Sequence, residues 1–152
     1  MKRIVRRILT ADGSPHQVSL GVAIGTFIAF LPIPGLQMLL AGGLAIILRA
    51  NKALSVSFVW ITNAITSIPI FLFNYGLGCW LLRRDYKPKI FCESFGRLIT
   101  RGGLPEKLHM LRSLAENILS PLWVGSMITA SFLATFGYFA VRFAITKYSI
   151  GR

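Results

Sequence analysis

Residues 18–48 form an apolar run without a single charged side chain or histidine, and Pro32-Ile33-Pro34-Gly35 interrupts it at its centre. Residues 53–82 form a second such run, interrupted by Thr62-Asn63-Ala64-Ile65-Thr66-Ser67-Ile68-Pro69. Uncharged runs of this length belong in a bilayer. A break in lipid leaves backbone groups unpaired unless protein or a water-filled cavity surrounds it. Paired broken segments in corresponding places are the pattern of a transporter-type binding site.

Length limits what each run can do. Each half of the first run, about 14 residues, makes a helix of about 21 Å, short of a hydrocarbon core of about 30 Å. One continuous helix over 18–48 would reach about 46 Å, too long without a strong tilt or a break. Two arrangements satisfy these lengths: a re-entrant hairpin of two half-helices, or one discontinuous spanning helix. Arg49 and Lys52 lie between the runs, Lys2, Arg3, Arg6 and Arg7 precede the first, and Arg83, Arg84, Lys87 and Lys89 follow the second. If both runs are hairpins, all these bases share the cytoplasmic side, so the positive-inside tendency favours hairpins.

Composition agrees with a membrane protein. Of 152 residues 54% are hydrophobic and 14% charged, and the mean hydropathy is +0.63. A soluble domain carries more charge. The 17 Lys and Arg against 5 Asp and Glu give a net charge of +12. These bases flank the apolar runs, as cytoplasmic loops and anionic headgroup contacts require. No basic stripe with interleaved aromatics stands apart from the spans, so nucleic acid is not an expected partner. Cys79 and Cys92 have no His or Cys at ligand spacing, so neither a metal nor a disulfide is implied, and no cofactor is expected.

The chain reads as one membrane domain, 1–152. Residues 1–17 are a basic interfacial segment without a signal-peptide core. They close in a turn at 10–17, where Ser14-Pro15 starts a helix. The broken hairpins occupy 18–48 and 53–82. In the basic segment 83–117, Ile90, Phe91, Phe95, Leu98 and Ile99 recur at near-helical spacing. After Gly102-Gly103, Leu104, Leu108, Leu111, Leu114 and Ile118 do so again, giving two amphipathic helices on the membrane. A clean transmembrane helix follows at 118–141, then a basic tail at 142–152. Ser126, Ala130 and Ala134 stand at small-xxx-small spacing, which suits helix packing within the chain or in a homo-oligomer.

The breaks carry the candidate site. Pro34 suits a first helical turn, leaving the N–H groups of Gly35, Leu36 and Gln37 at a helix N-terminus inside the membrane. Pro69 stands likewise before Ile70 and Phe71, with Thr66 or Ser67 as cap. Helix N-termini favour anions. The expected substrate-binding residues are Pro34, Gly35, Leu36, Gln37, Asn63, Thr66, Ser67 and Pro69, with Asn74 further along. The expected membrane-surface residues are Lys2, Arg3, Arg6, Arg7, Arg49, Lys52, Arg83 and Arg84. A shift of 35 residues sets Pro69 on Pro34 and Ile68 on Ile33, consistent with a duplicated unit. Against the site stands the ordinary use of Pro, Gly, Ser, Thr and Asn to shape and join membrane helices. No catalytic residue is expected, because no ionisable side chain lies inside the membrane runs. His16 and His109 read as surface residues.

Ser14-Pro15, Gly21 to Gly25, Pro32-Ile33-Pro34-Gly35-Leu36-Gln37, Arg49-Ala50-Asn51 and Trp60-Ile61-Thr62-Asn63 with Pro69 resemble the bacterial domain-of-unknown-function family numbered two-zero-six-two. Ala64 departs from it, since that family often has Pro there. The resemblance implies a small inner-membrane protein, with relatives sometimes joined to glycosyltransferase-like domains, and supplies no activity. The stretch FLPIPGLQMLLAGGLA is also similar to the first re-entrant motif of DedA-type lipid-carrier flippases, but the acidic residue is missing and Leu36 and Gln37 stand in its place.

The reading is an all-α integral membrane protein with two broken helical hairpins, amphipathic interfacial helices and one clean transmembrane helix. It is expected to be a multi-pass protein of the bacterial inner membrane and a homo-oligomer. It would bind or translocate an anionic, polyprenyl-phosphate-like headgroup at paired half-helix N-termini. The alternative is a non-transporting scaffold that recruits an envelope-glycan or lipid-modifying enzyme, with a glycosyltransferase-type partner.

Overall fold

The computed structural model describes residues 13–33, 35–63, 65–93 and 118–149. Among these the chain is all helical: α1 Pro15–Ala29, α2 Gln37–Ile47, α3 Lys52–Val59, α4 Ser67–Leu81 and α5 Ser120–Ser149. Contacts divide the chain into two compact units, Met1–Ile61 with Ala130–Arg152, and Thr62–Thr129.

In the first unit, α1 starts where the sequence places a start. Ser14 is the N-cap, with Pro15 in the first turn. The Gln17 N–H donates to Ser14 Oγ at 3.3 Å, and the Ser14 N–H donates to Gln17 Oε1 at 2.8 Å. This reciprocal capping box occupies two donors that the helix itself leaves unpaired. Gly21 and Gly25 then bring α1 against α3. A Cβ on Gly21 would stand 2.5 Å from the Asn51 carbonyl oxygen, and one on Gly25 2.3 Å from that of Ser55. Gly21 meets Asn51 and Gly25 meets Ser55, so the two helices run parallel.

α2 returns between them. Ser55 Oγ donates to the Ala41 carbonyl at 3.0 Å, and Ala41 and Ala45 are fully buried. The Asn51 N–H donates to the Gln17 carbonyl at 3.0 Å. The end of α2 thus arrives beside the beginning of α1, and the break between them lies at the far end of the unit. Ile24, Ile28, Leu31 and Val59 form the core together with Ala130 of α5.

In the second unit, α4 packs antiparallel to the first part of α5. A Cβ on Gly78 would stand 1.8 Å from the Pro121 carbonyl oxygen, and one on Gly125 1.8 Å from that of Asn74. Asn74 Nδ2 donates to Ser126 Oγ at 3.0 Å, with both residues fully buried. Tyr75 stacks on Phe91 with ring centroids 5.0 Å apart. That stacking fastens the segment after α4 onto the unit. Residues 88–93 of it are helical, and the remainder of the expected amphipathic helices lies outside the described residues.

One expectation is corrected, and two gain detail. α5 does not end at Arg142; it runs to Ser149, since Phe143, Ala144 and Ile145 continue an unbroken helical sequence. Of the second run, α3 belongs to the first unit, where it packs on α1 and α2, and α4 belongs to the second. The small-residue stripe serves packing within the chain, since Ser126 bonds Asn74 and Ala130 is buried in the first core.

Among the described residues, Ser120–Lys147 is long and apolar enough to cross a membrane. Its outward stripe is aromatic: Phe132, Phe136, Phe139 and Phe143 are each at least 63% exposed. α1 and α4, about 22 Å each, and α2, about 16 Å, are too short to cross alone.

Candidate functional site

The first break holds itself closed. The Leu31 N–H donates to the Ile28 carbonyl at 3.2 Å, Ile33 to Leu31 at 2.9 Å, and Leu36 to Ile33 at 3.4 Å. The buried Gln37 amide donates to the carbonyls of Ala29 at 3.4 Å and Leu31 at 3.0 Å. Carbonyls at a helix C-terminus have no partner within the helix, and Gln37 supplies one. Its donors were expected to face a ligand and instead satisfy the chain. α2 begins at Gln37, with Leu36 as N-cap, rather than at Pro34; Pro34 itself lies outside the described residues. Gly35 is exposed, has a φ of 90°, and faces open space.

The second break is capped by Asn63. Its Oδ1 accepts from the Ile65 N–H at 2.9 Å and the Thr66 N–H at 3.1 Å. Thr66 Oγ1 accepts from the Asn63 N–H at 2.9 Å. The Ser67 N–H donates to the Asn63 carbonyl at 2.8 Å, and the Ile70 N–H to that of Thr66 at 3.2 Å. Five backbone donors near this N-terminus are therefore taken, and Pro69, the third residue of α4, has none to offer. Thr66 holds the N-cap position, as the sequence suggests, but its side chain makes no capping bond; Asn63 instead takes the turn's N–H groups ahead of it, as Asn does in Asx-turns. Asn74, the further candidate, is buried against Ser126. Gly35 to Gln37 belong to the first unit, and Asn63 to Pro69 to the second.

The breaks repeat at a shift of thirty residues, from Gln37 to Ser67, not at 35. The turn bond of Leu31 recurs at Ile61, and the Leu40 to Leu36 bond recurs at Ile70 to Thr66. This register sets Pro34 against Ala64. The coincidence of Pro34 with Pro69 was misleading.

The basic ends also repeat. α2 and α4 both stop at an arginine in the left-handed region, Arg49 with φ 53° and Arg83 with φ 52°. In each case the next N–H reaches back: Ala50 to the Ala45 carbonyl at 2.8 Å, and Arg84 to that of Cys79 at 2.9 Å. This is the Schellman arrangement, whose left-handed position usually holds glycine. Both arginines are exposed, and a cation at a helix C-terminus is favourable. Lys52 is exposed beside Arg49, and Lys87 stands 3.9 Å from Asp85 in an exposed pair worth little. Lys2, Arg3, Arg6 and Arg7 lie outside the described residues. The first unit has a further basic group that sequence reasoning passed over. His16 and Arg142 both bond the Tyr138 hydroxyl, at 2.7 and 2.6 Å. They stand far apart in sequence, and only the folding of α1 against α5 brings them together.

No group of three or more His, Cys, Asp or Glu among the described residues is placed to hold a metal. The model of one protein family matches residues 1–152; it is described as an uncharacterized protein conserved in bacteria (DUF2062). No curated protein and no solved structure matches the chain.

Proposed function

The chain belongs to the DUF2062 family of bacterial proteins, and we propose that it is a multi-pass inner-membrane protein that binds anionic lipid headgroups at the basic ends of its helices. The observation that carries this reading is the charge distribution of the first unit. The Asn51–Gln17 bond gathers Arg49 and Lys52 at the end where α1 starts, and His16, Tyr138 and Arg142 meet at that same end. The opposite end, residues 30–36, carries no charge. A helix pair of this length with a charged base and an uncharged tip suits insertion into a bilayer from one side, with its bases among the headgroups.

In this reading the first run is a re-entrant pair. For the second run we propose the other arrangement open in the sequence, a spanning helix broken at 60–66, because its halves pack in different units. The narrower proposal, a polyprenyl-phosphate-like group held at the half-helix N-termini, draws support from the open approach to Gly35. The occupied donors around Asn63 weaken it at the second break. They favour the second reading, a non-transporting scaffold that recruits an envelope-glycan or lipid-modifying enzyme, with a glycosyltransferase-type partner. Neither reading assigns catalysis to this chain. A homo-oligomer is proposed through a face other than the Ser126–Ala130 stripe.

The deciding experiment uses purified protein in liposomes with a labelled polyprenyl phosphate and a neutral lipid of equal chain length. Binding with preference for the phosphate, and no flipping, supports headgroup binding without transport. Flipping that is lost when Gln37, Asn63 and Ser67 are all alanine supports the carrier form. Equal binding of both lipids contradicts headgroup recognition.

A further inference from the structure

The last helix and the first turn of α1 build one polar cluster from residues distant in sequence. Arg142 Nη1 donates to Tyr138 Oη at 2.6 Å, and the guanidinium lies 5.8 Å from the centre of the Tyr138 ring. On the other side of that hydroxyl, His16 Nδ1 stands at 2.7 Å, and the two rings meet edge to face at 5.8 Å. The phenol accepts from Arg142, so its own proton is available to His16 Nδ1. With Nδ1 as acceptor, the imidazole presents an N–H at Nε2. One hydroxyl thus orients two nitrogen donors.

Among the described residues, Tyr138 is the hydrogen-bond partner that Arg142 and His16 share. Arg142 has five N–H groups in a planar fork, and one bonds Tyr138. The described residues of the first unit contain Arg49, Lys52, Arg142 and Lys147 but neither Asp nor Glu. Asp85 and Glu93, the described carboxylates, belong to the second unit. A guanidinium and an imidazole held on one hydroxyl, with no carboxylate of their unit among the described residues, form an arrangement that an external anion completes. Position narrows the anion. Arg142 and His16 are exposed, and Phe139 and Phe143 beside Arg142 are 63% and 69% exposed. In a helix that crosses a bilayer, a polar group flanked by outward aromatics sits at headgroup depth. A phosphate accepts a planar fork through two oxygens and has a third for Nε2–H.

We propose that Arg142 and His16, oriented by Tyr138, bind the phosphate group of a membrane lipid. This rests on the headgroup-binding reading above but adds a defined site to it. Tyr138 is a positioning residue; Arg142 and His16 touch the phosphate.

The test must separate a site from bulk charge, so it uses variants that keep the charge. Full-length protein is reconstituted in phosphatidylcholine nanodiscs doped with phosphatidic acid, and affinity is measured together with phosphorus NMR line broadening. Tyr138→Phe and Arg142→Lys should each weaken phosphatidic acid binding by about five- to tenfold and sharpen the lipid line. Lys147→Arg should change neither. If both charge-keeping variants bind as wild type does, the site is overturned. If Tyr138→Phe shifts the unfolding midpoint, Arg142→Lys and His16→Gln decide alone. Wild type without preference for phosphatidic acid over phosphatidylcholine overturns the headgroup-binding reading itself; preference that survives all three variants overturns only this site. Inorganic phosphate that displaces the lipid supports recognition of the bare phosphate group. Failure to displace it, with the variant losses intact, supports a site completed by the bilayer.

Discussion

Arg49 and Arg83 occupy the same left-handed position at the ends of α2 and α4, with φ of 53° and 52°, and each is followed by the same backward hydrogen bond. A non-glycine residue there costs on the order of 1 kcal/mol. Glycine would serve the turn better, so what arginine contributes is its charge.

Arg49→Gly should therefore raise the unfolding free energy by about 1 kcal/mol and lower affinity for anionic vesicles, at about 1 kcal/mol per base. Arg83→Gly should do the same. Thermal unfolding in detergent and vesicle flotation at two salt concentrations read the two effects. A glycine variant that is more stable and still binds anionic vesicles as tightly as wild type would remove the arginine from the headgroup contact.

The glycines divide sharply by surroundings. Gly78→Ala and Gly125→Ala would each put a methyl group onto a carbonyl oxygen of the neighbouring helix, and each should cost roughly 3 kcal/mol or more, beyond ordinary overpacking. Gly43 lies inside α2 with nothing near its missing Cβ, so Gly43→Ala should add about 0.5–1 kcal/mol. Melting curves of the three proteins check the contrast.

Gln37 and Asn63 test whether the breaks are structural. Gln37→Ala strips a buried partner from the carbonyls of Ala29 and Leu31 and should cost about 1–3 kcal/mol. Asn63→Ala uncaps Ile65 and Thr66 and should cost about 1 kcal/mol. If stability holds in both and lipid binding disappears, the side chains are ligand groups. Gly35→Leu is a poor probe of ligand approach, because leucine at a φ of 90° is strained with or without a ligand.

Ala130→Leu tests the first core. Ala130 is fully buried with Ile24, Ile28 and Val59, so leucine should overpack it by about 1–3 kcal/mol. The loss should appear in unfolding measured at protein concentrations tenfold apart, with no dependence on concentration. A midpoint that rises with concentration in wild type and not in the variant would return this residue to an interface between copies.

Much of the helical layout was legible because it rests on local chemistry. Ser14-Pro15 with Gln17 spelled a helix start, and the uncharged run before Arg142 spelled a membrane-length helix. The breaks were legible through Pro32, Gly35 and Asn63. What happens at them was not, because their polar side chains can bond either a ligand or the nearest unpaired backbone group. Gln37 lies six residues from Leu31 in sequence yet bonds its carbonyl, and only the turn's geometry decides that. The repeat register was hidden by Pro69, which copies Pro34 in residue type but stands at the third position of its helix. The partnership of α3 with α1 rests on Gly21 and Gly25 meeting Asn51 and Ser55, which no period within one helix reveals. The His16–Tyr138–Arg142 cluster was invisible for the same reason.

The measurement that bears most directly on the account is the sidedness of the first run. His16→Cys and Lys52→Cys place exposed thiols at the start of α1 and just after α2, in a background where Cys79 and Cys92 are replaced. In intact cells an impermeant thiol reagent should label neither, and after permeabilisation it should label both. A run that enters from the cytoplasmic face and returns to it requires that pairing. Labelling of Lys52→Cys but not His16→Cys in intact cells would mean that the run crosses the membrane, and would contradict the account.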